Sequence, residues 1–516
     1  MNKFTERVVK DETILRHNIS SGSHDPDDYI DLAHLVADAL RYDEAIDLYE
    51  TALSLVSTAV ERAKVSADLG WVLLEADQPL RAQELAKQAV LIVTNEQTAP
   101  QVLFIKSSSQ ALLAQCAWSK NPDQAAEFAR LALDSLRQLM EEDPAFDGLA
   151  VVYCLAARVQ LLLGNARDAI DLSEKCLELT LSDRDRQTCL SVCAEALKRE
   201  NRLDEAQKAL KETVRYARSD KKALVQIYFE LGSVQRLTNQ LIEAKESFHK
   251  ALEIVTTDPN IFGDKDFLAE LHLNLGAICY DLGDFNDAAV AYREVIRRCD
   301  QNVSRRSDAM LWLAHCYYVT GAYGEARESY LNFLSLSQGS EEQKAEACEG
   351  IAKAYYHSAD YRQALIEFYK VLPYYPESNP YHYTVLLSFA NCFESLGDYE
   401  KAQDCFTKVL AARRASEFDK ESARRGIIEC RGKLRYESRQ YQEAAAAFEE
   451  AVLCSRTDDP HHFNLLLWLG NCYEGMGIYS RARHSFEQVL ISPYSTEADK
   501  VAARKALYGL PPAQKK

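Results

Sequence analysis

The side chains in this sequence best suited to chemistry are its 14 cysteines. Grouped thiols bind zinc or close disulfides. The spacing argues against grouping: the cysteines fall singly and none forms a C-x-x-C pair. Cys189 and Cys193 stand one helical turn apart, with no histidine pair nearby to complete a zinc site. Cys316, Cys392 and Cys472 recur at one equivalent place, as a small buried apolar residue would. The thiols are therefore expected to be reduced and structural. His461-His462 follows Asp459-Pro460 in an expected loop, but adjacent side chains diverge and no third ligand is apparent. Carboxylates number 78, and nothing singles out a catalytic pair. The chain has no glycine-rich phosphate loop, no H-E-x-x-H, no G-x-S-x-G and no calcium loop. The expectation is a protein with no catalytic centre, no cofactor and no metal.

Composition points the same way. The chain is 47% hydrophobic and 27% charged, with 60 basic against 78 acidic residues and a net charge of −18. An acidic surface repels phosphate backbones, so no nucleic-acid partner is expected. The first residues contain no continuous apolar stretch, which argues against a secretory signal, and the first cysteine is Cys116, so no N-terminal lipid site is expected. The most apolar run, residues 148–164, is broken by Arg158 and Gln160 and is too short to span a bilayer. A soluble, cytoplasmic protein without membrane insertion is expected.

The elements that would position any site repeat along the chain. Residues 463–493 read as two short amphipathic helices joined at Gly477. Leu469-Gly470 and Tyr473 lie in the first, Ala482 opens the second, Phe486 follows four residues on, and Pro493 closes the segment. Equivalent opening alanines are Ala45, Ala82, Ala125, Ala169, Ala206, Ala244, Ala288, Ala326, Ala364, Ala402, Ala444 and Ala482, which makes twelve hairpins over residues 26–495. Twelve residues before these anchors, eleven of twelve positions are Gly or Ala; Leu113 is the exception. Small residues there allow the two helices of a hairpin to approach closely. Four residues after the anchors, eight positions are aromatic, expected to fill the seam between neighbours. Ala86, Ala129, Ser173 and Leu210 break that pattern in hairpins two to five. Five residues before the anchors, Gly164, Asn201, Asn239, Gly283, Gly321, Gly397 and Gly477 tolerate a left-handed helix end.

The pattern of residues 463–493 resembles the tetratricopeptide repeat, with Leu466 where that family usually has Trp. The anchor spacings of 37–44 residues exceed the usual 34 of the family. They predict helices lengthened by about one turn rather than long loops. Asp143-Pro144, Thr94–Pro100, Asp258-Pro259 with Gly263, and residues 417–419 punctuate the longest spacings. The resemblance implies an all-α, right-handed superhelical solenoid over residues 26–495. Residues 1–25 would be an N-terminal helix and loop, with Phe4, Val8, Ile14 and Leu15 apolar, and 496–516 a capping helix and short tail. Thr496-x-x-Asp499 resembles the capping box that would open the last helix.

The same resemblance places the first helices on the concave surface. The inward residues would then include Tyr280, Tyr318, Tyr356 and Tyr436, with His315, Lys353, Asn391, Lys433 and Asn471 beside them. These tyrosines either present flat faces to a peptide or pack between adjacent first helices. Nine inward acids of hairpins seven to twelve, among them Glu349, Glu394 and Glu429, face only Lys353 and Lys433. Hairpins four to six run the other way, with Arg158, Lys198, Arg199 and Arg236 against Glu195 and Glu230. No lysine stands fifteen before any anchor, so the clamp by which some family members hold a chaperone's terminal carboxylate is not expected. The reading is a non-catalytic scaffold that binds protein or peptide, a basic segment being the suited ligand. The alternative is a sensor whose curvature changes on binding a small peptide or metabolite.

Overall fold

The computed structural model describes residues 3–94, 96, 99–179, 182–217, 220–258, 265–299, 303–336 and 339–511; the side chains of residues 3–11, 265 and 303 are not among them. Phe4, Val8, Pro259 and Gly263 of the expectations above therefore lie outside the described side chains. The regular structure among the described residues is entirely helical. Helix α1 (Lys3–Ser20) precedes twelve successive helix–turn–helix segments, from α2 (Pro26–Asp38) and α3 (Tyr42–Leu55) to α24 (Pro460–Gly475) and α25 (Tyr479–Ile491). Helix α26 (Glu497–Gly509) follows. The chain divides into two compact units at the turn of the seventh hairpin. The first ends at Leu282 and includes α14 (Lys265–Asp281); the second begins at Gly283 and includes α15 (Phe285–Arg298).

Each hairpin turns at the position five before its anchor. Eleven of the twelve have positive φ there, from Leu40 in the first hairpin to Gly477 in the last. The seven glycines and asparagines expected there are joined by Leu40, Asp77, Ala359 and Arg439, with φ of 59–63°. A side chain in that region costs roughly 1–2 kcal/mol, so the turn is imposed by the helices it joins. The third hairpin departs. After α6 (Pro100–Ala117) the Asn121 N–H bonds the Ala117 carbonyl at 2.8 Å, and the Asn121 side chain caps α7 (Pro122–Glu142). Two of the four widest spacings become helix: α7 and α22 (Glu417–Glu437) each run 21 residues.

The small residue twelve before the anchor makes room for a ring. A Cβ built on Gly470 would lie 2.5 Å from Phe486, and on Gly432 or Gly232 it would lie 2.9 Å from Phe448 or Phe248. In each case the ring belongs to the same hairpin, four after its anchor. Rings at this position also reach the next hairpin: Tyr330 crowds Gly350 and Phe406 crowds Gly426, and Phe448 stacks on Trp468. These rings are buried, so each closes its own hairpin and the seam beyond it. Where the ring is a tyrosine its hydroxyl needs a partner. Tyr49 meets His34 Nδ1 at 3.0 Å and Tyr330 meets His315 Nδ1 at 2.9 Å, each histidine standing eleven before the anchor.

Both terminal helices cover hairpin faces. Leu15 and Ile19 pack on the first hairpin, while Ile14 is half exposed. Arg41 also bonds Glu12 at 2.5 Å. At the other end Thr496 caps α26, Ala503 is buried, and Leu507 and Leu510 pack on the last hairpin. His461 and His462 are a correction to the loop reading: both lie in the first turn of α24.

Two predictions follow from these contacts. Alanine is favoured over glycine inside a helix by roughly 1 kcal/mol. Gly470→Ala should nevertheless lower the melting temperature, because the ring of Phe486 must move, at a cost of roughly 1–3 kcal/mol. A rise in melting temperature would mean the ring does not sit there. Conversely, Ala359→Gly and Arg439→Gly should each raise thermal stability by relieving the left-handed turn, by a net of about 0.5–1 kcal/mol. A fall in either would contradict the turn geometry.

Candidate functional site

Of the twelve residues nominated by the sequence, Tyr280 lies in the first unit and the other eleven in the second. The second-unit tyrosines share one arrangement. Tyr318, Tyr356 and Tyr436 each stand edge-on to a tyrosine five residues later, Tyr323, Tyr361 and Tyr441, with centroids 5.3–5.8 Å apart. Tyr318 and Tyr356 also flank the ring of His357. All three rings are half-buried.

The acids beside them already have partners. Glu349 is buried, receives the Tyr381 hydroxyl at 2.8 Å and pairs with Lys353 at 2.5 Å. Glu394 pairs with Lys433 at 2.5 Å. Burial opposes the charge of Lys433, but the attraction of Glu394 outweighs it and the ammonium is held above its ordinary value. Buried Glu429 accepts from His461 Nε2 at 2.7 Å, and Glu346 lies 3.1 Å from His315 Nε2. The hydrogen bond from His315 lowers the Glu346 carboxyl. Asn391 is exposed beside this row and Asn471 half-buried. Sequence counting found the excess of acids; it did not show that His461, from a first turn read as a loop, would neutralise one of them.

The first unit holds a concavity that the nominated residues do not touch. It measures about 1010 Å³. Its walls come mostly from the first helices α2, α4 (Ala59–Glu75), α6, α8 (Leu149–Leu162), α10 (Asp183–Arg199) and α12 (Lys221–Leu237), with Tyr42, Leu210 and Tyr216 from second helices. Tyr42, Trp118 and Tyr216 supply aromatic surface. Six carboxylates, Asp38, Glu75, Asp183, Glu195, Asp220 and Glu230, face four cations, Arg158, Arg184, Arg199 and Lys222. Arg184 bridges the space: it donates to Asp38 at 2.6 Å and also to Glu75, tying the fifth hairpin to the first and second. Lys198 pairs with Glu195 and lies 3.5 Å from Glu230. Burial raises the Glu230 carboxyl despite that lysine. Arg158 stacks over Trp71 at 5.4 Å and also lines an adjoining cavity of about 290 Å³. Deep in that second cavity, burial raises Asp68, whose Oδ2 lies 3.9 Å from His34 Nε2.

An all-α fold of successive helical hairpins defines a helical-repeat protein. Tetratricopeptide-repeat family models match residues 225–254, 273–341, 385–420 and 431–498. Those segments of the chain carry tetratricopeptide repeats. No curated protein matches it. Among solved structures it is similar to a tetratricopeptide repeat protein from Parabacteroides merdae, at 16% identity over 56% of this chain and 98% of that one, with a TM-score of 0.34. BtubC from P. vanneervenii is 17% identical over 42% of this chain and 91% of its own, with a TM-score of 0.34. PilF from Pseudomonas aeruginosa is 19% identical over 46% and 95%, with a TM-score of 0.34. No helix among the described residues is long and apolar enough to cross a membrane.

The His461–Glu429 pair generates a pH prediction. The hydrogen bond to Glu429 raises His461 above its ordinary value of 6.5. A raised histidine contributes stability that is complete below that ordinary value and is lost as pH rises through the higher, folded one. As pH rises above 6.5, wild-type protein should therefore lose the stability that this pair contributes, and His461→Gln should flatten that slope. Superimposable pH profiles for the two proteins would show that the pair does not form.

Proposed function

We propose that the chain is a non-catalytic scaffold that holds a peptide segment of a partner protein in the concavity of its first unit. Tetratricopeptide repeats generally mediate protein–protein interaction. The observation that supports this site is a cavity of about 1010 Å³ formed mostly by first helices. Binding cavities of about 300–1,000 Å³ bury drug-sized ligands, so a short run of residues fits. Three aromatic side chains offer apolar faces, and backbone amides of an extended segment can meet the surrounding polar groups. Six carboxylates against four cations suit a segment that carries lysine or arginine. A reducing, cytoplasmic setting suits thiols that form no disulfide among the described residues.

The row of tyrosines and acids in the second unit is a second candidate surface for a basic segment. Its tyrosines remain partly accessible, but a ligand there would have to displace Lys353, Lys433 or His461 from their carboxylates. The first-unit carboxylates are paired as well, Asp38 and Glu75 with Arg184 and Glu195 with Lys198, so the first unit is favoured by its cavity of about 1010 Å³ and not by unpaired charge.

The test is selection of peptides from a displayed library on the full chain, followed by titration of the winners against two double variants. Glu195→Lys/Glu230→Lys should weaken binding by about ten-fold or more, a loss of at least about 1.4 kcal/mol, with circular dichroism unchanged. Glu349→Lys/Glu429→Lys should leave it unaltered. The reverse pattern would move the site to the second unit, and binding insensitive to both would refute the proposal.

A further inference from the structure

Three cysteines depart from the pattern of lone core thiols. Cys154 on α8, Cys176 on α9 (Ala166–Leu177) and Cys189 on α10 bring their sulfur atoms within 4.8 Å of one another. All three are buried and form a cluster of their own, edged by Tyr153 and Leu177. Cys193, Cys430 and Cys472, by contrast, sit among alkyl and aromatic side chains. Cys189 was paired by sequence spacing with Cys193; its actual neighbours come from two other helices.

The cluster occupies a seam that lacks its ring. In the fourth hairpin the residue four after the anchor is Ser173, where eight other hairpins have an aromatic. The Cys189 thiol lies 3.4 Å from the Ser173 carbonyl, and Cys176 donates to the Ala150 carbonyl at 3.1 Å. The Ser173 hydroxyl is fully buried and has no hydrogen-bond partner among the described residues. A buried donor left unpaired costs about 1–3 kcal/mol, and a thiolate in this cluster would be an acceptor beside it.

We propose that Cys154, Cys176 and Cys189 form a binding site for a thiophilic d10 metal ion, Cu(I) or Zn(II). Metal–sulfur bonds of about 2.3 Å separate the sulfurs of a thiolate site by about 3.8–4.0 Å, which the observed 4.8 Å limit accommodates. Soft thiolates select these ions over hard ones. Three donors complete a trigonal Cu(I) site. Zn(II) requires a fourth donor, which water entering from the adjoining cavity would supply. Cys154 lines the 290 Å³ cavity beside Asp185 and Arg158, which gives an ion a route to the sulfurs. On binding, three S–H bonds break, three metal–sulfur bonds form, and three protons pass to solvent; no electron is transferred.

The test uses the full-length protein, reduced and stripped of metal with a chelator. It is titrated without oxygen with Cu(I) and, separately, with Zn(II), each against a competing chromophoric chelator. One ion per chain should bind, X-ray absorption should show a sulfur-dominated first shell, and Cys154→Ala and Cys189→Ala should abolish binding. Cys430→Ala should retain it. Because a variant can fail to fold, alkylation of wild-type protein is mapped by mass spectrometry with and without the ion. Selective protection of Cys154, Cys176 and Cys189 supports the site, and the ion that protects identifies the resident metal. Failure of both ions to compete with the chelator, protection spread over the other cysteines, or equal loss in Cys430→Ala would overturn it.

Discussion

A buried ring set against a residue with little or no side chain is the contact on which these hairpins depend. Phe486 against Gly470, Phe448 against Gly432 and Phe248 against Gly232 are three instances of one solution. The ring removes apolar surface from water and fixes how far apart the two helices stand. It also reaches the following hairpin, as Tyr330 does at Gly350, so one side chain serves both the hairpin and the stack. In a linear array whose repeats pack chiefly on their neighbours, that double contact transmits stability along the chain.

The hairpins that abandon this contact are the ones with other features. Hairpins two to five carry Ala86, Ala129, Ser173 and Leu210 in place of the ring. The first helices of those hairpins line the large cavity of the first unit, and the three-thiol cluster fills the seam beside Ser173. Arg184 supplies a long-range tie in the same region, reaching Asp38 and Glu75 across the concavity. Exposed ion pairs are individually weak. The significance of this one is geometric, since it joins helices far apart in sequence. The second unit keeps its rings and spends its polar residues on pairs within its own surface, from Lys353–Glu349 to His461–Glu429.

Much of the fold was legible because its determinants are local and periodic. The opening alanines, the small residues twelve earlier and the rings four later could be read from spacing alone. What the small residues face is a ring rather than a bare helix, and that emerged only from the packing. Turns at Leu40, Asp77, Ala359 and Arg439 were missed because those residues do not favour a left-handed conformation; the helices on either side impose it. The sites were less legible, because they join residues from different hairpins. Cys154, Cys176 and Cys189 are 22 and 13 residues apart and match no metal motif. Their shared seam was marked only by the missing ring at Ser173. Likewise the acid excess near Glu429 was visible, but its neutralisation by His461 depends on where α24 begins.

The most direct test of the ring-centred account is hydrogen exchange by mass spectrometry on the full chain, comparing wild type with Phe448→Ala. Removing this ring should accelerate exchange in α22, α23 (Tyr441–Cys454) and α24, whose hairpins it joins, and leave hairpins one to five at wild-type rates. Unchanged exchange in α22–α24, or uniform acceleration over the whole chain, would contradict the claim that each ring stabilises its own hairpin and the adjoining seam.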